Sequence, residues 1–106
     1  MAIDQELIDE IVRRVLTVAR PDRIILFGSA ATGEMGKDSD IDLLIVEPRI
    51  EDWVAETLRI ADALRGTGFP YDVIIMDTER FEGTRNIIGG IAFPANKYGK
   101  VIYEAA

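Results

Sequence analysis

Arg23-Ile-Ile-Leu-Phe-Gly-Ser29, followed after residues 30–39 by Asp40-Ile-Asp-Leu-Leu-Ile-Val46, is the stretch that decides how this chain folds. The first segment reads as a buried strand closed by a Gly-Ser step, and the second as a strand that opens on two aspartates. Side chains alternate between the two faces of a strand, so Asp40 and Asp42 share one face and Ile41, Leu43 and Ile45 the other. Their Cα atoms then lie roughly 6.5–7 Å apart, at about 3.3 Å per residue. Two carboxylates so placed repel each other unless a cation sits between them. Hard, oxygen-seeking ions such as Mg²⁺ or Mn²⁺ suit that position.

Outward from this pair, helical and extended patterns alternate. Residues 4–19 recur apolar at spacings of three and four, with acids first and arginines last, as a helix dipole favours; Pro21 stops the run. Residues 50–65 read as a second helix, with Ile50, Trp53, Val54, Leu58, Ala61 and Leu64 on an apolar face expected to pack into the core. Residues 71–76 and 100–104 read as strands. Residues 78–85 read as a short helix capped by Asp77 or Thr78. A last short helix carries Pro94, tolerable only in a first turn, and ends at Gly99. Alternating helices and strands predict an α/β fold: a single mixed β-sheet flanked by helices, as one domain over residues 1–106.

The 106 residues are 48% hydrophobic, enough for one core, and carry a net charge of −7. Such acidity opposes direct nucleic-acid binding, which needs clustered Lys and Arg, but tolerates a metal–nucleotide complex. The chain has neither cysteine nor histidine. Disulfides, thiolate chemistry and Cys-based zinc sites are therefore excluded, and catalysis must rest on carboxylates, hydroxyls, lysines or arginines. No apolar run approaches the roughly 20 residues of a membrane span, and the N-terminus does not resemble a signal peptide, so a cytoplasmic protein is expected.

The Gly28-Ser29 step has the character of a phosphate-binding turn. Gly28 allows close backbone approach, Ser29 offers a hydroxyl, and a short helix over residues 30–32 would aim N–H groups at an anion. Asp72, early in the third strand, is the third candidate carboxylate; an ionised group in a buried strand costs several kcal/mol unless paired. Three carboxylates with two metals can drive in-line displacement on a triphosphate without histidine or cysteine. Two nearer motifs fail. Gly28 and Gly33 have P-loop spacing, but Glu34 and Met35 stand where Lys and Ser/Thr are required; Asp38, Asp40 and Asp42 begin like an EF-hand, but Leu43 replaces the turn glycine. Aspartates two apart more often form a solvated strand face; the full spacing together with Asp72 favours the metal site. The bland readings make Met35, Met76 and Trp53 packing residues, and Tyr98 and Tyr103 parts of a packed terminus rather than base-stacking rings.

Gly28-Ser29, the ten-residue gap, Ser39-Asp40-Ile41-Asp42, the later Asp72 and the closing Gly99-Lys-Val-Ile-Tyr103 together resemble the nucleotidyltransferase superfamily that includes DNA polymerase beta. The likeness is closest to its minimal, MNT-type branch and covers almost the whole chain. It implies the polymerase beta-like fold and Mg²⁺-dependent transfer of a nucleoside monophosphate from a nucleoside triphosphate, with ATP the foremost candidate, to a hydroxyl. By position, Gly28 and Ser29 would hold the phosphates, while Asp40, Asp42 and Asp72 would be the catalytic, metal-binding carboxylates. The branch often reads Gly-Ser-x-Ala-Arg-Gly; here Thr32 takes the arginine's place and Ala30 a site often basic, with Lys37 the candidate replacement. Minimal members are frequently encoded beside a small helical HEPN-type protein in toxin–antitoxin pairs, which implies such a partner. The competing expectation is a non-catalytic nucleotide- or partner-binding module, an antitoxin acting by contact.

Overall fold

The computed structural model describes residues 3–33, 36 and 39–106. Along the chain lie α1 (Gln5–Leu16), β1 (Arg23–Phe27), α2 (Ser29–Thr32), β2 (Ile41–Glu47), α3 (Trp53–Ala63), β3 (Tyr71–Asp77), α4 (Thr78–Thr84), α5 (Ala92–Tyr98) and β4 (Lys100–Glu104). The strands form one mixed sheet in the order β3-β2-β1-β4. β1 pairs antiparallel with β2 and β4, whereas β2 runs parallel to β3 after the α3 crossover. This is the mixed four-stranded sheet flanked by helices that the alternating pattern predicts.

Local chemistry sets the element ends. Asp4, Asp52 and Asp77 cap α1, α3 and α4, their carboxylates accepting from the backbone N–H groups of Leu7, Ala55 and Arg80. Pro94 sits in the first turn of α5, where its missing N–H costs no helical hydrogen bond. Central β2 is covered on both faces, which is why Leu43-Leu44-Ile45-Val46 is continuously apolar and buried.

One sheet face carries Ile24, Leu26, Leu43 and Ile45 against Ile11 and Val15 of α1 and Ile60 of α3. The other carries Ile25, Leu44, Val46 and Met76 against Phe81 of α4 and Ala92 and Ala95 of α5. Arg23 ties this second face together at one end of the sheet. Its guanidinium donates to Glu82 at 2.7 Å and Glu104 at 2.9 Å, and lies 5.4 Å from the centre of the Phe81 ring.

Helix α3 departs from its expected orientation. Trp53, Val54 and Leu58 are exposed, with 70% of Val54 open to solvent, while Ile60 and Leu64 are buried. Positions 57, 60 and 64 define the inward stripe, and residues 54 and 58 are turned about 100° away from it at 3.6 residues per turn. The apolar arc of α3 is wider than the sheet it covers. Among the described residues no helix is long and apolar enough to cross a membrane.

Candidate active site

Topology collects the candidate residues at one end of the sheet. Antiparallel pairing sets Phe27 opposite Asp42, so the Gly28-Ser29 step leaves the sheet where β2 begins. Parallel pairing sets Asp42 beside Asp72. Directly paired residues share a face, so Phe27, Asp42 and Asp72 all point to the side covered by α4 and α5. Asp40 lies just before β2 rather than inside it, and is exposed; Asp42 is half-buried. Asp72 is exposed on the edge strand, so it carries no burial penalty of the kind expected for it. That penalty falls on Asp42. Burial pushes the Asp42 carboxyl above its ordinary value, and the charges of Asp72 and then Asp40 push it further the same way.

Gly28 is needed at its position for two reasons. Its φ of 66° is in the region that side chains disfavour, and a Cβ added there would stand 2.3 Å from the Asp42 Oδ2. The backbone of the turn therefore lies directly against a carboxylate of the cluster. Ser29 opens the single turn of α2, in which the N–H groups of Ala31 and Thr32 donate to the Gly28 carbonyl at 3.1 and 3.4 Å. Lys37, the candidate replacement for the branch's arginine, and Met35, read as a packing residue, lie outside the described residues.

The donor set suits a hard divalent cation. It consists of carboxylates alone, gathered at one end of the sheet, and among the described residues none of the three enters an ion pair. Among the described residues, however, no three acids stand together in an arrangement that could hold a metal ion. Mutual repulsion spreads like charges apart. For Asp40, Asp42 and Asp72 to hold an ion together their side chains would have to turn toward one another, a movement that the exposure of Asp40 and Asp72 leaves room for.

The sequence matches the family described as nucleotidyltransferase domain over residues 5–93, which takes in the whole cluster. The chain belongs to that family. No curated protein matches the sequence closely. Solved structures give the same fold. This nucleotidyltransferase superposes on a Sulfolobus solfataricus protein assigned as a nucleotidyltransferase with a TM-score of 0.62 and 22% identity, over 93% of this chain and 78% of that one. It superposes on a toxin–antitoxin structure with AMP-PNP at 0.60 and 19%, over 92% and 73% of the two chains. A tri-AMPylated Shewanella oneidensis HEPN toxin in complex with MNT antitoxin gives 0.56 and 17%, over 97% and 74%.

One feature of the site leaves only a faint trace in the sequence. A cleft of about 420 Å³ adjoins the Gly28-Ser29 step of the nucleotidyltransferase, walled by Phe27, Ile91, Pro94 and Tyr98, with Thr32 at its rim. Tyr98, expected in a packed terminus, is 62% exposed there. The aromatic ring beside Gly99 is the one signal of it that the residues carry. Tyr103 is half-buried against the α1 side of the sheet, in keeping with its packing role.

Proposed function

We propose that this chain transfers a nucleoside monophosphate from ATP to a hydroxyl on a partner protein, as the antitoxin of a toxin–antitoxin pair whose other member is a small helical HEPN-type protein. The observation that carries the chemistry is the meeting of Gly28, Ser29, Asp40, Asp42 and Asp72 at one end of one sheet. The partner assignment draws on structural neighbours that are toxin–antitoxin complexes, one with AMP-PNP and one holding an AMPylated toxin.

In this reading Gly28 and Ser29 receive the phosphates. Asp40 and Asp42, with Asp72, hold Mg²⁺ or Mn²⁺, which would neutralise the triphosphate and polarise the attacking hydroxyl. Asp72 would take the hydroxyl proton, a role supported by its exposure, its pairing beside Asp42 and its place on the edge strand. The acceptor oxygen bonds to the α-phosphorus, the bond from that phosphorus to the bridging oxygen breaks, and pyrophosphate leaves with the electron pair. The proton departs through Asp72.

The test is transfer of α-labelled nucleotide from each of the four triphosphates to the partner protein. Asp72→Asn is nearly isosteric and should fold normally and still bind metal–nucleotide. It should lose turnover by the roughly 10²–10⁴-fold that a positioned base contributes. Equal labelling by wild type and Asp72→Asn would remove Asp72 from the mechanism. Tight partner binding with no labelling by wild type would leave a module that acts by contact.

A further inference from the structure

We infer that the cleft beside Gly28 and Ser29 is the seat of the nucleotide's base, and that it accepts purine rings without distinguishing adenine from guanine. The inference rests on the transferase reading above and names the part of the substrate that reading leaves unplaced.

Continuity carries the first step. Gly28 and Ser29 line the cleft as well as forming the turn, so a triphosphate held at the turn has its nucleoside within reach of the cleft. The walls carry the second step. Phe27, Ile91, Pro94 and Tyr98 present apolar and aromatic surface, which would strip water from phosphates without repaying it but suits a flat heteroaromatic ring. The volume of about 420 Å³ lies within the range of small-molecule pockets, about 300–1,000 Å³.

Tyr98 supplies the stacking surface. It is a large aromatic that folding leaves mostly open to solvent, at the last residue of α5. The Lys97 ammonium sits 5.4 Å from its ring centre and 5.6 Å from that of Phe93, which steadies the ring by cation–π attraction. An exposed, steadied tyrosine facing a cleft is the element that base-stacking sites use, and stacking tolerates any base because each has a π-face.

Selectivity follows from the polar groups that the described lining residues offer. Among the described residues its polar side chains are the hydroxyls of Ser29, Thr32 and Tyr98, and the Thr32 hydroxyl donates to the Ser29 carbonyl at 3.4 Å. Hydroxyls rotate to donate or accept, so they do not reject one purine edge in favour of the other. A larger ring covers more of the wall than a smaller one. Purines should therefore be preferred to pyrimidines, and ATP and GTP should bind alike.

Titration calorimetry on the full chain with Mg²⁺ tests this, using inorganic triphosphate and the α,β-methylene analogues of ATP, GTP, CTP and UTP. Wild type should bind the ATP and GTP analogues within about threefold of each other, and both more tightly than inorganic triphosphate. Tyr98→Ala should weaken the purine analogues about tenfold and leave inorganic triphosphate unchanged; Tyr98→Phe should behave as wild type. If inorganic triphosphate binds but Tyr98→Ala leaves the ATP analogue unchanged, the cleft is not the base site while the transferase reading stands. The cleft is likewise not the base site if Tyr98→Ala loses only the partner protein. A hundredfold preference for one purine overturns the tolerance. If neither triphosphate nor nucleotide binds, the phosphate turn fails, and the transferase reading and this inference fall with it.

Discussion

At the scale of single residues, two buried or half-buried acids in β2 behave differently from ordinary surface carboxylates. Asp42 sits among other acids and against the Gly28 backbone, which is a poor arrangement for stability and a good one for receiving a cation. Glu47, at the far end of the same strand, is 3% exposed, and its Oε1 has no hydrogen-bond partner. Burial raises the Glu47 carboxyl above its ordinary value of 4.5, and Arg59 offsets this only in part. The folded state therefore holds the Glu47 proton more tightly than the unfolded state does. Its contribution to stability is full below the unfolded value and is lost as pH rises through the folded one. Glu47→Gln removes that titration. Thermal unfolding of both proteins between pH 4 and 8 should show the difference moving in favour of Glu47→Gln as pH rises; a constant difference would show that Glu47 is not desolvated.

At the scale of elements, α3 separates amphipathic pattern from burial. Ile60 is completely buried between α3 and the sheet, whereas Leu58, two residues before it, is 63% exposed. Truncating a buried isoleucine loses its transfer energy and leaves a cavity. Ile60→Ala should therefore cost about 2–5 kcal/mol in denaturant unfolding. Leu58→Lys should change stability by no more than about 0.5 kcal/mol, as a surface substitution does. A large loss at Leu58 would mean that the outer face of α3 is packed after all. Glycines act at this scale too. Gly99 joins α5 to β4, and a Cβ there would stand 2.3 Å from the Ala95 carbonyl and 2.7 Å from the Ile25 side chain. The absence of a side chain lets the helix end against the strand that it precedes.

At the scale of the whole molecule, the two core clusters hold the sheet from both faces, and the candidate site sits at its end, outside both. A ligand there that binds only the folded state stabilises the whole cooperative unit by mass action. At about one hundred times its dissociation constant the gain is about 2.7 kcal/mol. For a chain of this size that raises the midpoint of thermal unfolding by roughly 10 °C. Mg²⁺ with a nonhydrolysable ATP analogue should produce this shift. EDTA should abolish most of it, and Asp40→Asn with Asp42→Asn should remove it without lowering the midpoint of the ligand-free protein. A shift of equal size in the double variant would place the metal–nucleotide site elsewhere.

Much of this protein was legible in its residues alone. The strands over 23–27 and 100–104, the aspartate that caps α4 and the position of Pro94 all follow from periodicity, capping and proline chemistry, which act over a few residues. The set Gly28, Ser29, Asp40, Asp42 and Asp72 could be listed because its members stand at characteristic spacings. Their assembly could not be read in the same way. That Asp42 lies beside Asp72, that Gly28 abuts Asp42, and that Tyr98 and Ile91 close a cleft against the turn depend on strand register and on how α5 packs across the sheet. The exposure of Trp53, Val54 and Leu58 is of the same kind. An apolar arc shows that a helix can be buried, but the area of sheet available to cover it is a property of the assembled layers, and in this protein only the tertiary structure decided it.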